Sequence, residues 1–247
     1  IRAVFESSPG ATLVSLDYSQ LELRLLAHIV KDRELIGAFL ADKDIHRLTA
    51  SKIFGTSESA VTDEMRKIGK TLNFGMIYGM GPRAFGKMSG LSLNDAKKFI
   101  ESYFANFPKI KKWQDETIRL AKANGYVKNE NGRLRFLPDI SSGHPRFISE
   151  AERAAVNMPI QSLNADILKL SMIKIRNFAV NKNIWGTKIK ILLSIHDELL
   201  LEIADDMLDS LGVAAKEIME NIAHFEAPLK ISASAGKNWG EMRHLKL

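Results

Sequence analysis

Three ionisable residues stand in a row where two apolar runs meet: His196, Asp197 and Glu198 in "KIKILLSIHDELLLEI". Two β-type runs joined by a very short polar turn read as a hairpin. Such turns favour glycine, which tolerates positive φ, yet this one has none. Asp17 ends another apolar run, "ATLVSLD", where a strand gives way to a helix. A lone carboxylate there is most often a cap or turn residue. If strand and hairpin share one sheet, however, Asp17 and Asp197 meet at one edge. Converging carboxylates repel unless a divalent cation lies between them. Mg²⁺ takes oxygen ligands, keeps several waters and completes its shell with substrate phosphates. Two such ions ~4 Å apart activate an attacking oxygen and stabilise a leaving one in phosphoryl transfer.

Two ladders with a step of four residues add to this. Arg66, Lys70, Phe74 and Tyr78 change along one helical stripe from cations to aromatics, each step rising ~6 Å. A nucleotide runs the same way, from phosphates through sugar to flat base. Arg66 and Lys70 suit phosphates, and Phe74 and Tyr78 suit sugar and base. The plainer alternative puts the aromatics in the core and the cations in solvent. Arg153, Asn157 and Gln161 form the second ladder. They can donate to the N3 and O2 acceptors of a nucleic-acid minor groove, or simply be the wet side of a helix. Ser19 and Glu22 fit a capping box, with Ser19 as N-cap and Glu22 at the third helical position.

Periodicity and punctuation place these residues on elements. A strand over 11–17 precedes a helix, and two short helices fill 32–60. Strong helices cover 62–79, 92–107 and 108–125, each with cap or stop residues. Residues 126–147 read as a small hairpin with a loop. Residues 149–181 read as a long helical region bent or interrupted at Pro159. The hairpin at 188–203, a helix near 206–224 and a strand in "PLKISASAG" close the chain. The fold class is α+β, with residues from about 20 to 150 a helical insertion.

The 247 residues are 45% hydrophobic, enough for a sizeable core, and the formal net charge is +6. Residues 62–137 hold fifteen Lys and Arg against seven Asp and Glu, a local balance of +8. That is an electrostatic footprint for a polyanion, or a solvated basic surface. With no cysteine, disulfides, Cys-ligated zinc and iron–sulfur clusters are excluded. No apolar run approaches the ~20 residues of a membrane helix. The first residues carry no signal or transit pattern and no Met, and the chain reads as a piece of a longer protein.

Together these segments resemble the family A DNA polymerases, the bacterial DNA polymerase I group. "DYSQLELRLLAH" (Asp17 to His28) is similar to motif A, "RKIGKTLNFGMIYG" (Arg66 to Gly79) to motif B and "IHDE" (Ile195 to Glu198) to motif C. "DIHRLTA" (Asp44 to Ala50) and "RAAVNMPIQSLNADI" (Arg153 to Ile167) also match, in family order. The resemblance implies an antiparallel palm sheet from 1–19 and 151–247, with mainly helical fingers over 20–150. It implies two Mg²⁺ ions (Mn²⁺ can substitute) held by Asp17, Asp197 and the Tyr18 carbonyl, with Glu198 an accessory carboxylate. His46, Arg66 and Lys70 would contact the incoming dNTP, and Lys70 would protonate the leaving pyrophosphate. Phe74 would pack on the sugar, Tyr78 would border the nascent base pair, and Glu22 would exclude ribonucleotides. Arg153, Asn157, Gln161 and His196 would contact primer-template DNA. The protein would be an intracellular monomer, in a bacterial cytoplasm, a phage-infected cell or a DNA-containing organelle. Its thumb, and any exonuclease region, would lie outside this chain. One departure is "NGRLRFLPDI", where Leu134 interrupts a run of arginines common in the family. Two rival readings are a metal-dependent phosphohydrolase or nuclease using the same carboxylates, and a non-catalytic nucleic-acid-binding module.

Overall fold

After the Pro9-Gly10 turn the chain enters strand β1 (Ala11–Tyr18), in which only Asp17 escapes full burial. A strand covered on both faces is buried continuously rather than alternately, and β1 takes Thr12 and Ser15 into the interior with its apolar residues. In this computed structural model, which describes residues 1–247, β1 is the middle of a five-stranded antiparallel sheet. β4 (Ile189–Ile195) and β5 (Glu198–Ala204) form the late hairpin, and β6 (Ile231–Gly236) and β7 (Arg243–His244) complete the sheet in the order β4-β5-β1-β6-β7. β1 thus pairs with β5 on one side and β6 on the other. Leu13 of β1, Leu200 of β5 and Trp239 form a buried cluster. The Tyr18 hydroxyl is buried between Ser171 Oγ and the Met219 carbonyl, 2.8 Å from each.

The chain packs as two compact units, one of Ile1–Leu21 with Asn164–Leu247 and one of Glu22–Leu163. The sequence reading drew its lines at 19/20 and 150/151. Helix α8 (Pro145–Asn181) contributes to both units.

The second unit is mainly helical. It contains α1 from Glu22 on (helix Leu21–Val30), α2 (Arg33–Leu40), α3 (Ile45–Phe54) and α4 (Asp63–Ile77). Next come α5 (Pro82–Ser89), α6 (Leu93–Asn106), α7 (Pro108–Asn124) and the hairpin β2 (Tyr126–Lys128) with β3 (Leu134–Phe136). Asp32, Asp44, Thr62 and Ser92 cap α2, α3, α4 and α6 through their side chains, as short polar residues before an apolar run should. Gly125, at φ 76°, ends α7. Val127, Leu137, Ile140, Ala155 and Met158 share a core with Ala121 of α7. The remaining helix, α9 (Leu208–Glu220), packs on the sheet of the first unit.

Three local expectations change. α8 runs through Pro159 as one helix of 37 residues instead of being interrupted there. Met158, Pro159, Ile160 and Leu163 are all buried, and that packing outweighs one missing N–H. α1 begins at Leu21, because Gln20 adopts a left-handed φ of 53°. That places Glu22 at the second helical position and removes Ser19 from the N-cap site. Finally, α5 had no counterpart in the sequence reading, because three glycines at 81, 86 and 90 in and around it mask its pattern. No helix is long and apolar enough to cross a membrane.

Candidate active site

The strand and the hairpin share one sheet, the condition under which the sequence brings their carboxylates to one edge. Asp17 lies opposite Glu198 in the β1–β5 register, and the Tyr18 amide donates to the Asp197 carbonyl at 3.2 Å. The Asp17 and Asp197 carboxyls lie close enough for each to perturb the other's ionisation. Both line a cavity of about 450 Å³ that His196, Glu198, Ser232 and His244 also border. Burial pushes Asp17 up to about 6, and the charges of Asp197 and Glu198 push the same way against Arg2. Burial likewise raises Asp197, opposed by a backbone hydrogen bond and by His196.

His196 and Asp197 are the whole of the two-residue turn between β4 and β5. His196 takes φ 54°, the left-handed region where glycine is at ease. A side chain there costs roughly 1 kcal/mol, so this tip keeps an exposed imidazole against its own backbone preference. Glu198, the third member of the row, is buried and borders the same cavity, with both of its oxygens held by other residues. Its Oε1 accepts from Ser15 Oγ at 2.6 Å and Trp239 Nε1 at 3.1 Å, and its Oε2 accepts from Arg2 Nη2 at 2.9 Å. The three adjacent residues therefore border one cavity with three different degrees of burial.

Two half-buried carboxyls whose ionisation is opposed by burial are a hard-oxygen donor set suited to Mg²⁺ or Mn²⁺. It is also a sparse one. No cluster of three or more His, Asp or Glu side chains is placed to hold a metal ion anywhere in the chain. A cation on Asp17 and Asp197 must draw its other ligands from backbone, water or a bound substrate.

The second unit carries the other ladder. The buried side of α4 is Gly69, Leu72, Asn73, Gly75, Met76 and Ile77. Arg66, Lys70, Phe74 and Tyr78 are left on the open side, so the aromatics are not core residues. Gly69 lets α3 come close: a Cβ there would lie 2.5 Å from the His46 carbonyl oxygen. That approach brings His46 beside the ladder, its ring 5.7 Å from that of Phe74. Asn73 Nδ2 donates to His46 Nδ1 at 3.1 Å, leaving the ring proton on Nε2. Burial, with Arg66 and Lys70 nearby, pushes His46 down to about 4 against the pull of Asp44, so His46 is a neutral donor.

Arg66 Nε donates to Asp44 Oδ2 at 2.6 Å, while Asp44 Oδ1 caps α3 by accepting from the His46 and Arg47 amides. Burial pushes Asp44 up, but Arg66 and the amide donors outweigh it and hold the carboxyl below its ordinary range. Lys70 is exposed. At the aromatic end, Tyr78 Oη donates to Glu22 Oε2 at 2.7 Å. The chain then turns at Gly79 (φ 62°), where a Cβ would come 3.0 Å from Arg153 Cγ. Arg153 thus lies against the end of the first ladder and donates to Ser149 Oγ at 2.8 Å. Gln161 is exposed on the same helix, and the buried Asn157 Oδ1 has no hydrogen-bond partner.

The sequence reading missed Asp44, Asn73, Arg2, Ser15 and Trp239. Asp44 was legible, since it precedes a helix and sits two residues before His46. Asn73 was legible only as a buried neighbour of Phe74. Arg2 and Trp239 lie near opposite ends of the chain, and nothing in their spacing joins them.

The family model for DNA polymerase family A matches residues 1–241. The chain is 40% identical over 243 residues to a DNA polymerase I of Caldicellulosiruptor bescii, covering 98% of this chain and 28% of that one. It is 38% identical over 239 residues to the thermostable DNA polymerase I of Thermus aquaticus, covering 97% of this chain and 28% of the relative. The chain therefore spans less than a third of the length of these relatives. Among solved structures, the POL domain of Pol1 from M. smegmatis, in complex with DNA primer-template and dNTP, superimposes with a TM-score of 0.90 at 34% identity, over 97% of this chain and 42% of that one. A match over nearly the whole chain, with the carboxylate pair at the sheet edge and both four-step ladders in place, shows that the chain belongs to DNA polymerase family A.

Proposed function

We propose that this chain is the palm and fingers of a template-directed DNA polymerase. The observation that carries the reading is a division of labour. One unit gathers a half-buried carboxylate pair, and the other presents a face graded from cations to aromatics. A phosphohydrolase needs the first and not the second. A binding module needs neither the pair nor its raised pKa values.

In this reading Asp17 and Asp197, with the Tyr18 carbonyl, hold Mg²⁺. When bound, the ion polarises phosphate oxygens and lowers the pKa of the attacking hydroxyl. The primer 3′-oxygen would form a bond to the α-phosphorus of the dNTP and give up its proton to water. The bond from that phosphorus to the α–β bridging oxygen breaks, and pyrophosphate leaves with a proton from Lys70. Arg66 and the neutral His46 Nε2–H hold the phosphates, and Asp44 fixes the Arg66 guanidinium. Phe74 packs on the sugar, and Tyr78 borders the new base pair. His196 stands at the primer end, while Arg153, Asn157 and Gln161 follow the minor groove. The solved relative's primer-template and dNTP are the ligands this reading assigns here.

Primer extension tests it. The full-length protein, given Mg²⁺, a primer-template and four dNTPs, should lengthen the primer by template-matched steps, more weakly as salt rises. Hydrolysis of the DNA without extension would establish the nuclease reading. Binding without either reaction would establish the binding module.

Ribonucleotide exclusion gives a finer check, because the Tyr78 hydroxyl fixes the Glu22 carboxylate. Glu22→Ala should raise the ribonucleotide-to-deoxynucleotide ratio of kcat/KM by roughly 10- to 200-fold, the usual range for a steric pocket. Tyr78→Phe should raise it less, since Glu22 stays but loses its donor. If the ratio is unmoved in Glu22→Ala, the gate is elsewhere.

A further inference from the structure

Glu198 is adjacent to Asp197 and opposite Asp17, yet both of its oxygens are already engaged. The engagement is built from distant parts of the chain. Arg2 Nη2 donates to Glu198 Oε2, and the Arg2 guanidinium carbon stacks 4.6 Å from the Trp239 ring centroid. Trp239 Nε1 donates to Oε1, and its ring meets Phe5 edge-on at 5.4 Å. The two segments are laced by backbone: Trp239 N donates to the Phe5 carbonyl at 3.0 Å, and Ser7 N to the Lys237 carbonyl at 2.8 Å. Asn238 Nδ2 donates to the Ala3 carbonyl at 2.8 Å. A Cβ on Gly240 would lie 2.9 Å from Ala3 Cα, so the segments are in van der Waals contact.

We propose that Arg2, with Trp239 and Ser15, is a clamp that withholds Glu198 from the cation bound by Asp17 and Asp197. Arg2 is then a positioning residue. The inference rests on the function proposed above and adds a reason for the sparse donor set. Two carboxylates bind a hard cation weakly and leave its shell open for phosphate oxygens. A third carboxylate would bind the cation more tightly before any nucleotide arrives. Stacked guanidinium and indole suit this role, because Arg forms a fixed fork and keeps its charge at every working pH.

Mn²⁺ binding to the full-length protein, without nucleotide or DNA, tests the clamp. Free Mn²⁺ is read by electron paramagnetic resonance. Arg2→Gln removes the charge that holds Glu198 and should tighten Mn²⁺ binding at least tenfold. The double variant Arg2→Gln with Glu198→Gln should lose that gain. Trp239→Phe keeps a ring under Arg2 and removes only the N–H, so it serves if Arg2→Gln does not fold, and should tighten binding in the same direction. A purely structural role for Arg2 would lower the melting temperature and leave the affinity alone. Unchanged affinity in whichever variant folds overturns the clamp. Asp197→Ala separates the two proposals. If it leaves wild-type Mn²⁺ binding intact, the metal pair itself falls. If it abolishes binding while the clamp variants match wild type, only the clamp falls.

Discussion

Asp17→Asn is expected to leave the full-length protein more stable at pH 7.5 without divalent ions, and about 10³-fold slower or worse in primer extension. The rate loss corresponds to about 4 kcal/mol of barrier, reasonable for removing one of the two carboxylates that the proposed function assigns to the ion. The stability gain follows from the pKa. Asp17 is raised from 3.8 to about 6, first by burial and then by Asp197 and Glu198. A raised carboxyl binds its proton more tightly in the folded state. Its ionisation therefore weakens the fold progressively as the pH climbs from about 4 through 6, and fully above that. Asparagine removes this penalty. Because Asp17 is only half-buried, solvent screening cuts the gain to on the order of 1 kcal/mol. Thermal melts in EDTA should show the variant ahead at pH 7.5 and level with wild type near pH 4. Mg²⁺ should then stabilise wild type and not the variant, since only wild type binds it well. A variant no more stable than wild type at pH 7.5, or equally ahead at both pH values, would contradict the raised pKa of Asp17.

Lys70→Ala should lower kcat by 10²- to 10⁴-fold, the usual range for a lost general acid, with a smaller change in KM. Arg66→Ala should do the reverse. The difference comes from their partners. Arg66 is held by Asp44, which is itself fixed as the cap of α3, so under the proposed function Arg66 would be a rigid clamp for phosphate. Lys70 stands one turn on, exposed. An exposed ammonium on a four-carbon stem can follow a leaving group in a way that a pinned guanidinium cannot. Single-turnover extension with each variant separates the effects. If Lys70→Ala changes KM alone, Lys70 is a binding residue and the proton comes from elsewhere.

Some of this site was readable from residue order and some was not. Asp17 and Asp197 each end an apolar run, and a strand end beside a hairpin tip is a strong geometric constraint. The two ladders were readable because a step of four residues holds a face on any helix. Which face is buried depends on α3, and α3 reaches α4 only because Gly69 has no side chain. Pro159, where a bend or an interruption was expected, does not interrupt α8, because local rules see the missing N–H and not the packing around it. Glu22 misled because one left-handed residue, Gln20, moves the helix start by one place. The Arg2–Glu198–Trp239 arrangement had no local signal. It joins residues near both ends of the chain, and only the closed sheet brings them together.

That closure has a consequence for how the molecule is made. β1 takes its hydrogen bonds from β5 and β6, and Asp17 meets Glu198 about 180 residues after it has been synthesised. At about 5–20 residues per second, β1 waits roughly 10 to 35 s on the ribosome for its first neighbour in the sheet. During that time a strand destined for almost complete burial has both edges unpaired, the state that invites wrong pairing. The helical stretch between 22 and 163 is complete well before β5 emerges. Order of birth therefore favours helices first and the catalytic sheet last, and the nascent strand is the segment for which a chaperone has most to do.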